Sequence, residues 1–122
     1  MNEYLSTVEQ LRHQLAVFAS QDYRMSLPAM QAITEIAYVM ARDNTNIVPQ
    51  SELVAALPAT HASVSRAITY WSTHSARSVI GKGFVQTSQN IENRRHTDLR
   101  LTPKGGMFVR SLFSNAVVHN RE

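Results

Sequence analysis

Residues 60–71 read Thr60-His-Ala-Ser-Val-Ser-Arg-Ala-Ile-Thr-Tyr-Trp71. Val64, Ala67, Ile68 and Trp71 recur at steps of three and four, which sets them on one face of a helix. The opposite face carries His61, Ser63, Ser65, Arg66, Thr69 and Tyr70: short hydroxyls, an imidazole, a phenol and one guanidinium. No carboxylate occurs between Glu52 and Glu92. A helix buried on one side and rich in uncharged or cationic donors on the other suits a polyanion such as DNA.

The residues on either side frame this helix. Leu53, Val54, Ala56 and Leu57 form a short apolar helix opened by Pro49-Gln50-Ser51 and closed by Pro58, because the residue before a proline is pushed out of the helical region. Thr60 is then the N-cap of the helix quoted above. A short helix, a tight turn at Pro58-Ala59 and a second helix have helix-turn-helix spacing. The far end is open to two readings. Apolar positions continue through Ala76, Val79 and Ile80 to Gly81-Lys82-Gly83, so the helix either runs near twenty residues or breaks at Ser72 to Ser75.

Beyond the glycines the period becomes alternating. Residues 84–89 are rich in strand formers, and His96-Thr97-Asp98-Leu99-Arg100-Leu101 alternates apolar and polar. The polar connection at 90–95 has hairpin length and puts Arg94 and Arg95 at or near the tip of a two-stranded ribbon. Such a pair often serves only solubility; after a helix-turn-helix it is also placed for phosphates or a minor groove.

Further out lie three more helices. Met1, Tyr4, Val8, Leu11, Leu15 and Phe18 form a seam with a mean period near ~3.5 residues, the pattern of a helix packed lengthwise on another helix. That pattern fits an ordinary core helix or a subunit-dimerising one. Ser26 caps a second helix with Pro28 in its first turn, Met30, Ile33, Ile36, Ala37 and Met40 on its apolar face, and Asp43-Asn44-Thr45-Asn46 as its stop. Thr102 caps the last helix, with Pro103 at its first position and an apolar face through Phe108, Val109, Leu112, Phe113, Ala116 and Val117. A helix this apolar has few neighbours in a small domain, so with the first helix it points to a second copy of the chain. Gly105 and Gly106 predict an irregular start, each being about 1 kcal/mol less favourable than alanine in a helix.

Composition bounds the function. The 122 residues make one domain, 43% hydrophobic and 17% charged, in the range of a folded globular protein. The absence of cysteine excludes disulfides and cysteine metal ligands. Met1-Asn-Glu-Tyr-Leu5 lacks the features of a signal peptide, and no apolar run nears the ~20 residues that cross a bilayer. The expectation is a cytoplasmic protein with no membrane partner. Net charge is +3 but polarised: residues 1–59 hold three arginines against six carboxylates, net −3, and residues 60–110 hold eight Lys and Arg against two, net +6. The five histidines show no metal spacing, and there is no nucleophile elbow, phosphate-cradling loop or dinucleotide fingerprint. No catalytic residue, metal or cofactor is expected, and the chain does not read as an enzyme.

Several segments together resemble the MarR-type winged-helix transcriptional regulators. They are Leu27-Pro-Ala-Met-Gln31 with Ile33 and Ile36, Val64-Ser65-Arg66 with Ile68, and Gly83-Phe84-Val85. Most specific are Asn93-Arg94-Arg95 and Leu99-Arg100-Leu101-Thr102-Pro103-Lys104-Gly105. The resemblance spans about Leu27 to Gly105. Three features depart from the family pattern. Asn93 stands where an aspartate usually braces a wing arginine. The stretch from Arg66 to Gly83 is longer by about two helical turns. The chain after Gly105 has room for one helix where the family tends to have two.

The resemblance implies a mainly α fold with a two-stranded β wing. Residues 27–101 would form the winged helix-turn-helix, flanked by dimerisation helices at 1–22 and 103–120. It implies a homodimer acting as a repressor on a pseudo-palindromic double-stranded DNA site. Ser63, Ser65 and Arg66 would face bases and phosphates with Thr60 and Thr69 flanking them, Arg94 and Arg95 would face the minor groove, and Gln50 and Ser51 the phosphates. His61 reads equally as a base or phosphate contact or as a plain exposed histidine. Dimer contacts would come from Tyr4, Val8, Leu11, Leu15, Phe18, Leu112 and Phe113. It also allows a small-molecule effector, which no residue identifies. Two other readings share the fold: a DNA-binding protein of plasmid or phage replication or partition, and a winged helix that docks an acidic protein.

Overall fold

A computed structural model of the chain describes residues 2–72 and 82–114. In chain order these form α1 (Asn2–Gln21), α2 (Leu27–Asp43), β1 (Val48–Pro49), α3 (Gln50–Ala56), α4 (His61–Trp71), β2 (Val85–Gln89), β3 (Thr97–Leu101) and α5 (Pro103–Phe113).

The helix starts follow side-chain chemistry. Ser26, Thr60 and Thr102 each sit in extended backbone, and each hydroxyl oxygen accepts from the backbone N–H three residues on, at 3.2, 3.0 and 3.0 Å. Each replaces a bond that the first helical turn cannot make for itself. At the end of α2, Asn44 takes φ 52°, the left-handed conformation common at helix C-termini, and its N–H returns to the Met40 carbonyl.

The expected two-stranded wing is present as β2 and β3, and a short third strand extends its sheet. The sheet has three antiparallel strands in the order β1-β3-β2, with Val48 opposite Leu99 and Pro49 opposite Asp98 on one side, and Val85 opposite Leu101 through Gln89 opposite Thr97 on the other. Pro49 opens α3 from its N-cap position and is also the second residue of an edge strand. A proline without an N–H is tolerated at such an edge.

The length of α4 is also decided. It ends at Trp71, and Ser72 is extended at ψ 177°. Backbone bonds bring the chain back against this end: Lys82 N–H donates to the Tyr70 carbonyl, Gly83 N–H to that of Ser72 and Phe84 N–H to that of Trp71, at 3.0, 2.9 and 2.8 Å. These bonds, not a glycine, fix the helix boundary. Of the additional stretch at 70–80, expected to lengthen the helix or to form an extra loop, residues 73–80 lie outside the described residues, as do Ala116 and Val117.

One core joins the elements. Ile33, Ile36 and Val39 of α2 face Val64 and Ile68 of α4, with Leu53, Val48 and Leu99 closing the cluster. Trp71 centres its aromatic end: the indole stacks on Phe84 at 5.4 Å, lies 5.6 Å from Phe108, and donates from Nε1 to the Ala29 carbonyl at 2.7 Å. This bond ties the end of α4 to the first turn of α2 and satisfies a donor that would be costly to bury alone.

Gly105 explains the glycines of α5, which is regular rather than irregular over its described length. The Phe84 carbonyl oxygen accepts from the Thr102 N–H at 3.0 Å and presses on Gly105 so closely that any Cβ there would collide with it. Gly106 faces open space.

Between α1 and α5, Phe18 meets Phe108 edge to face at 5.7 Å, and His13 Nε2 lies 2.7 Å from the Ser111 carbonyl oxygen. Phe18 and Leu112 are 8% and 2% exposed, so both are core residues of the single chain. This corrects their grouping with an intersubunit seam: little of either side chain is left for a partner to cover. Tyr4, Val8, Leu11, Leu15 and Phe113 remain exposed on α1 and α5. Among the described residues, no helix is long and apolar enough to cross a membrane.

Candidate nucleic-acid interface

The two faces of α4 separate as its spacing predicts. Val64, Ala67, Ile68 and Trp71 are buried, while His61, Arg66 and Thr69 are exposed and Ser63 and Ser65 are half-buried. Thr60 is exposed but has its own task, since its hydroxyl caps the helix. Tyr70 departs from its sequence placement on the outer face. It is half-buried and turned towards the α1–α2 connection, where its hydroxyl donates to Asp22 Oδ2 at 2.6 Å.

That contact belongs to a small lock. Lys82 lies 5.7 Å from the centre of the Tyr70 ring, and its ammonium donates to the Gln21 carbonyl at 3.3 Å. The Tyr70 hydrogen bond, then the Arg24 N–H, holds the Asp22 carboxyl below its usual range. Burial, then the bond to Asp22, pushes the Tyr70 phenol up. The end of α4 is thereby joined to the end of α1 and to the residues that lead into the wing.

The wing stands out from the body. In β2, Gln86, Thr87, Ser88 and Gln89 are all exposed and Val85 at its root is buried; in β3, Leu99 is buried. Asn90 organises the tip: its Oδ1 accepts from the N–H groups of Glu92 and Asn93 at 2.9 and 3.0 Å, and its Nδ2 donates to Asp98 at 3.1 Å. Asn93 Oδ1 accepts from the Arg95 N–H at 3.1 Å, so this residue braces the backbone of the tip rather than an arginine head group. Arg94 and Arg95 are exposed, and Ile91 beside them is 97% exposed.

A groove of about 480 Å³ joins the three elements. Gln50, Ser51, Val54 and Ala55 line it from α3, His61 from the start of α4, and Arg95, His96 and Thr97 from the base of the wing. Four of the residues singled out in the sequence therefore meet: Gln50, Ser51, His61 and Arg95. Ser63 and Arg66 instead edge a second hollow of about 310 Å³, bounded by Ser26, Pro28 and Ala29 of α2 and by Tyr70. Arg94 and Thr69 line neither. His96 was not singled out, because only the pairing of the strands brings it beside α3.

The electrostatics favour an anion. Among the described residues the ion pairs are those of Arg42 with Asp43 and Glu52, at 2.7 and 3.6 Å, and neither carboxylate lines the groove. Arg66, Arg94 and Arg95 have no carboxylate at ion-pair distance among those residues. Lys82 and Lys104 are drawn onto the rings of Tyr70 and Phe84. Among the described residues, no group of His, Asp and Glu could hold a metal ion.

No protein-family model matches the sequence, nor does any curated protein sequence. Solved structures do share the fold. The YusO protein from Bacillus subtilis is 12% identical, with 98% of this chain and 74% of that chain covered at a TM-score of 0.62. BpsR from Bordetella bronchiseptica, whose DNA binding is regulated by 6-hydroxynicotinic acid, is 14% identical over 98% and 83% at a TM-score of 0.53. A mutant MarR from E. coli in complex with operator DNA is 14% identical over 98% and 77% at a TM-score of 0.56.

Proposed function

We propose that this chain, which has the winged-helix fold of the MarR-type structures, is a DNA-binding transcriptional regulator that acts as a homodimer on a pseudo-palindromic site. One observation carries the reading: an exposed, carboxylate-free face of α4 flanks a groove that it shares with α3 and the arginine-tipped wing. In this mode α4 enters a major groove, where Arg66 can bind guanine O6 and N7 together, worth about 1–3 kcal/mol of discrimination. Ser63, Ser65 and Thr69 line the same face. Arg94 and Arg95 follow the backbone into the neighbouring minor groove, and Gln50 and Ser51 hold phosphates. Occupying a promoter in this way represses it.

The exposed apolar row of α1 supports the dimer. Tyr4, Val8, Leu11 and Leu15 are each more than half exposed, although their spacing is that of a helix packed against another helix. A two-fold axis there would present two α4 helices to successive major grooves. An effector like the one that regulates BpsR would have the hollow beside Ser63 and Arg66 within reach.

The test is selection of bound duplexes from a random library. Inverted repeats about one helical turn apart are the expected outcome. Tandem direct repeats would favour replication or partition. Absence of binding to any duplex at ~50 mM salt, where non-specific contacts are strong, would end the DNA reading and leave the protein-docking one.

A further inference from the structure

We propose that the groove between α3, the start of α4 and the base of the wing is a phosphodiester site in which His61 and His96 gain protons as DNA binds. Affinity then rises as the pH falls. This rests on the DNA reading above and adds a regulation to the same surface.

The chemistry of the lining carries the inference. Arg95 supplies a permanent positive charge, Gln50 and Ser51 supply neutral donors, and two imidazoles from separate elements share the same space of about 480 Å³. Both histidines are exposed, so both rings are open to a ligand in the groove. Imidazole is the side chain whose ordinary pKa, about 6.5, places its charge change within the physiological range. A phosphate brought within about 4–6 Å favours the charged ring and raises its pKa in the complex.

Arg95, a like charge in the same groove, disfavours a charged ring in the free protein, and a bound phosphate offsets it. No carboxylate lines the groove. On α3, Glu52 lies 3.6 Å from Arg42. On β3, Asp98 accepts from Asn90. Glu92 is exposed at the tip of the wing, and α4 carries no acid. The frame itself does not titrate in the same window: Asp22 is shifted down and Tyr70 up, so the lock between α1 and α4 persists across it.

The sign follows from linkage. A ring whose pKa rises on binding is charged in both states below the free value, which gives the high-affinity plateau. It is neutral in both states above the bound value, which gives the low plateau. Between the two, affinity falls with rising pH by up to tenfold per unit for each histidine. A one-unit rise in pKa corresponds to about a tenfold total change per ring. Two newly charged contacts also steepen the dependence of log K on log salt, by up to about 0.9 each.

The test is fluorescence anisotropy of the full chain with a labelled random-sequence duplex from pH 5.5 to 8.0, at two salt concentrations. Sedimentation at each pH holds the oligomeric state in view, because His13 sits between α1 and α5. Wild type should tighten towards pH 5.5 with a steeper salt slope. His61→Gln and His96→Gln should each remove part of that gain. The double variant should bind with its pH 8.0 affinity throughout. Both substitutions are at exposed positions, and an unchanged circular-dichroism melt confirms the fold. Wild-type binding that ignores pH, or a double variant that keeps the wild-type pH slope, overturns the proposal. No binding by wild type at any pH overturns the DNA reading, and this proposal with it.

Discussion

On α4, Val64 and Trp71 are 0% exposed and Ile68 is 5%; on α1, Val8, Leu11 and Leu15 stay at 56, 55 and 52%. The two stripes have comparable periodicity but different surroundings. α4 is enclosed by α2, α3 and the start of β2. α1 rests on α5 through Phe18 and His13, near its C-terminal half, and leaves its other apolar positions uncovered. Periodicity identifies which face of a helix is apolar, but says nothing about whether the chain itself will cover it. Where it does, the stripe is core; where it does not, the stripe stays exposed, as on α1, and carries the dimer proposed above.

The largest effects should expose this asymmetry. Trp71→Ala removes an aromatic side chain and leaves the Ala29 carbonyl without its indole donor, so a loss of about 3–5 kcal/mol is expected in urea unfolding. A loss under ~1 kcal/mol would mean that the stacked ring cluster is not the centre of the core. Replacing both Leu11 and Leu15 by Asp should instead leave a folded monomer. Sedimentation should report half the wild-type mass, and the unfolding midpoint should cease to depend on protein concentration. An unchanged sedimentation profile would remove the basis for the dimer.

Smaller effects separate inner from outer positions within a single turn. Gly105→Ala forces a methyl group against the Phe84 carbonyl and should lower stability by about 1–3 kcal/mol. Gly106→Ala, into open space, should raise it by up to about 1 kcal/mol. Thermal melts of the two variants should therefore shift in opposite directions, and a shared direction would contradict the packing of α5 against Phe84.

The smallest effect concerns the join between α1 and α4. Asp22 has a lowered folded pKa, so its stabilisation is present above the unfolded value and is lost as the pH falls through the folded one. Tyr70→Phe removes the main cause of that lowering. The Asp22 carboxyl, followed by NMR, should then titrate at higher pH, and Asp22 should contribute less to the acid loss of stability, so the gap between wild type and variant narrows as the pH falls. That gap should be constant and at its largest between pH 5 and 8. An unmoved Asp22 titration would mean that the phenol does not hold the carboxylate.

What could be read from the chain in advance was mostly local. The caps at Ser26, Thr60 and Thr102 depend on a side chain reaching three residues along its own backbone, and they match the structure. The hairpin was legible for the same reason, as a change of period between polar turns. The end of α4 was not, since Ser72 is no helix breaker and the boundary is imposed by bonds from residues 82–84. β1 is only two residues long and includes a proline, so nothing in Val48-Pro49 marks it before β3 pairs with it. The candidate interface divides similarly. The outer residues of α4 follow from spacing, whereas the place of His96 beside Gln50 and the recruitment of Tyr70 by Asp22 depend on contacts across the fold.

Trp71 is the single tryptophan of the chain. Its ring is fully buried against Phe84 and Phe108, and its N–H is bound to the first turn of α2. The protein therefore carries a built-in optical gauge at the hinge between α4, α2 and the wing. Emission under selective indole excitation should be blue-shifted while those three elements are docked. It should move to the red when they part, reporting on the seating of α4 without any attached label.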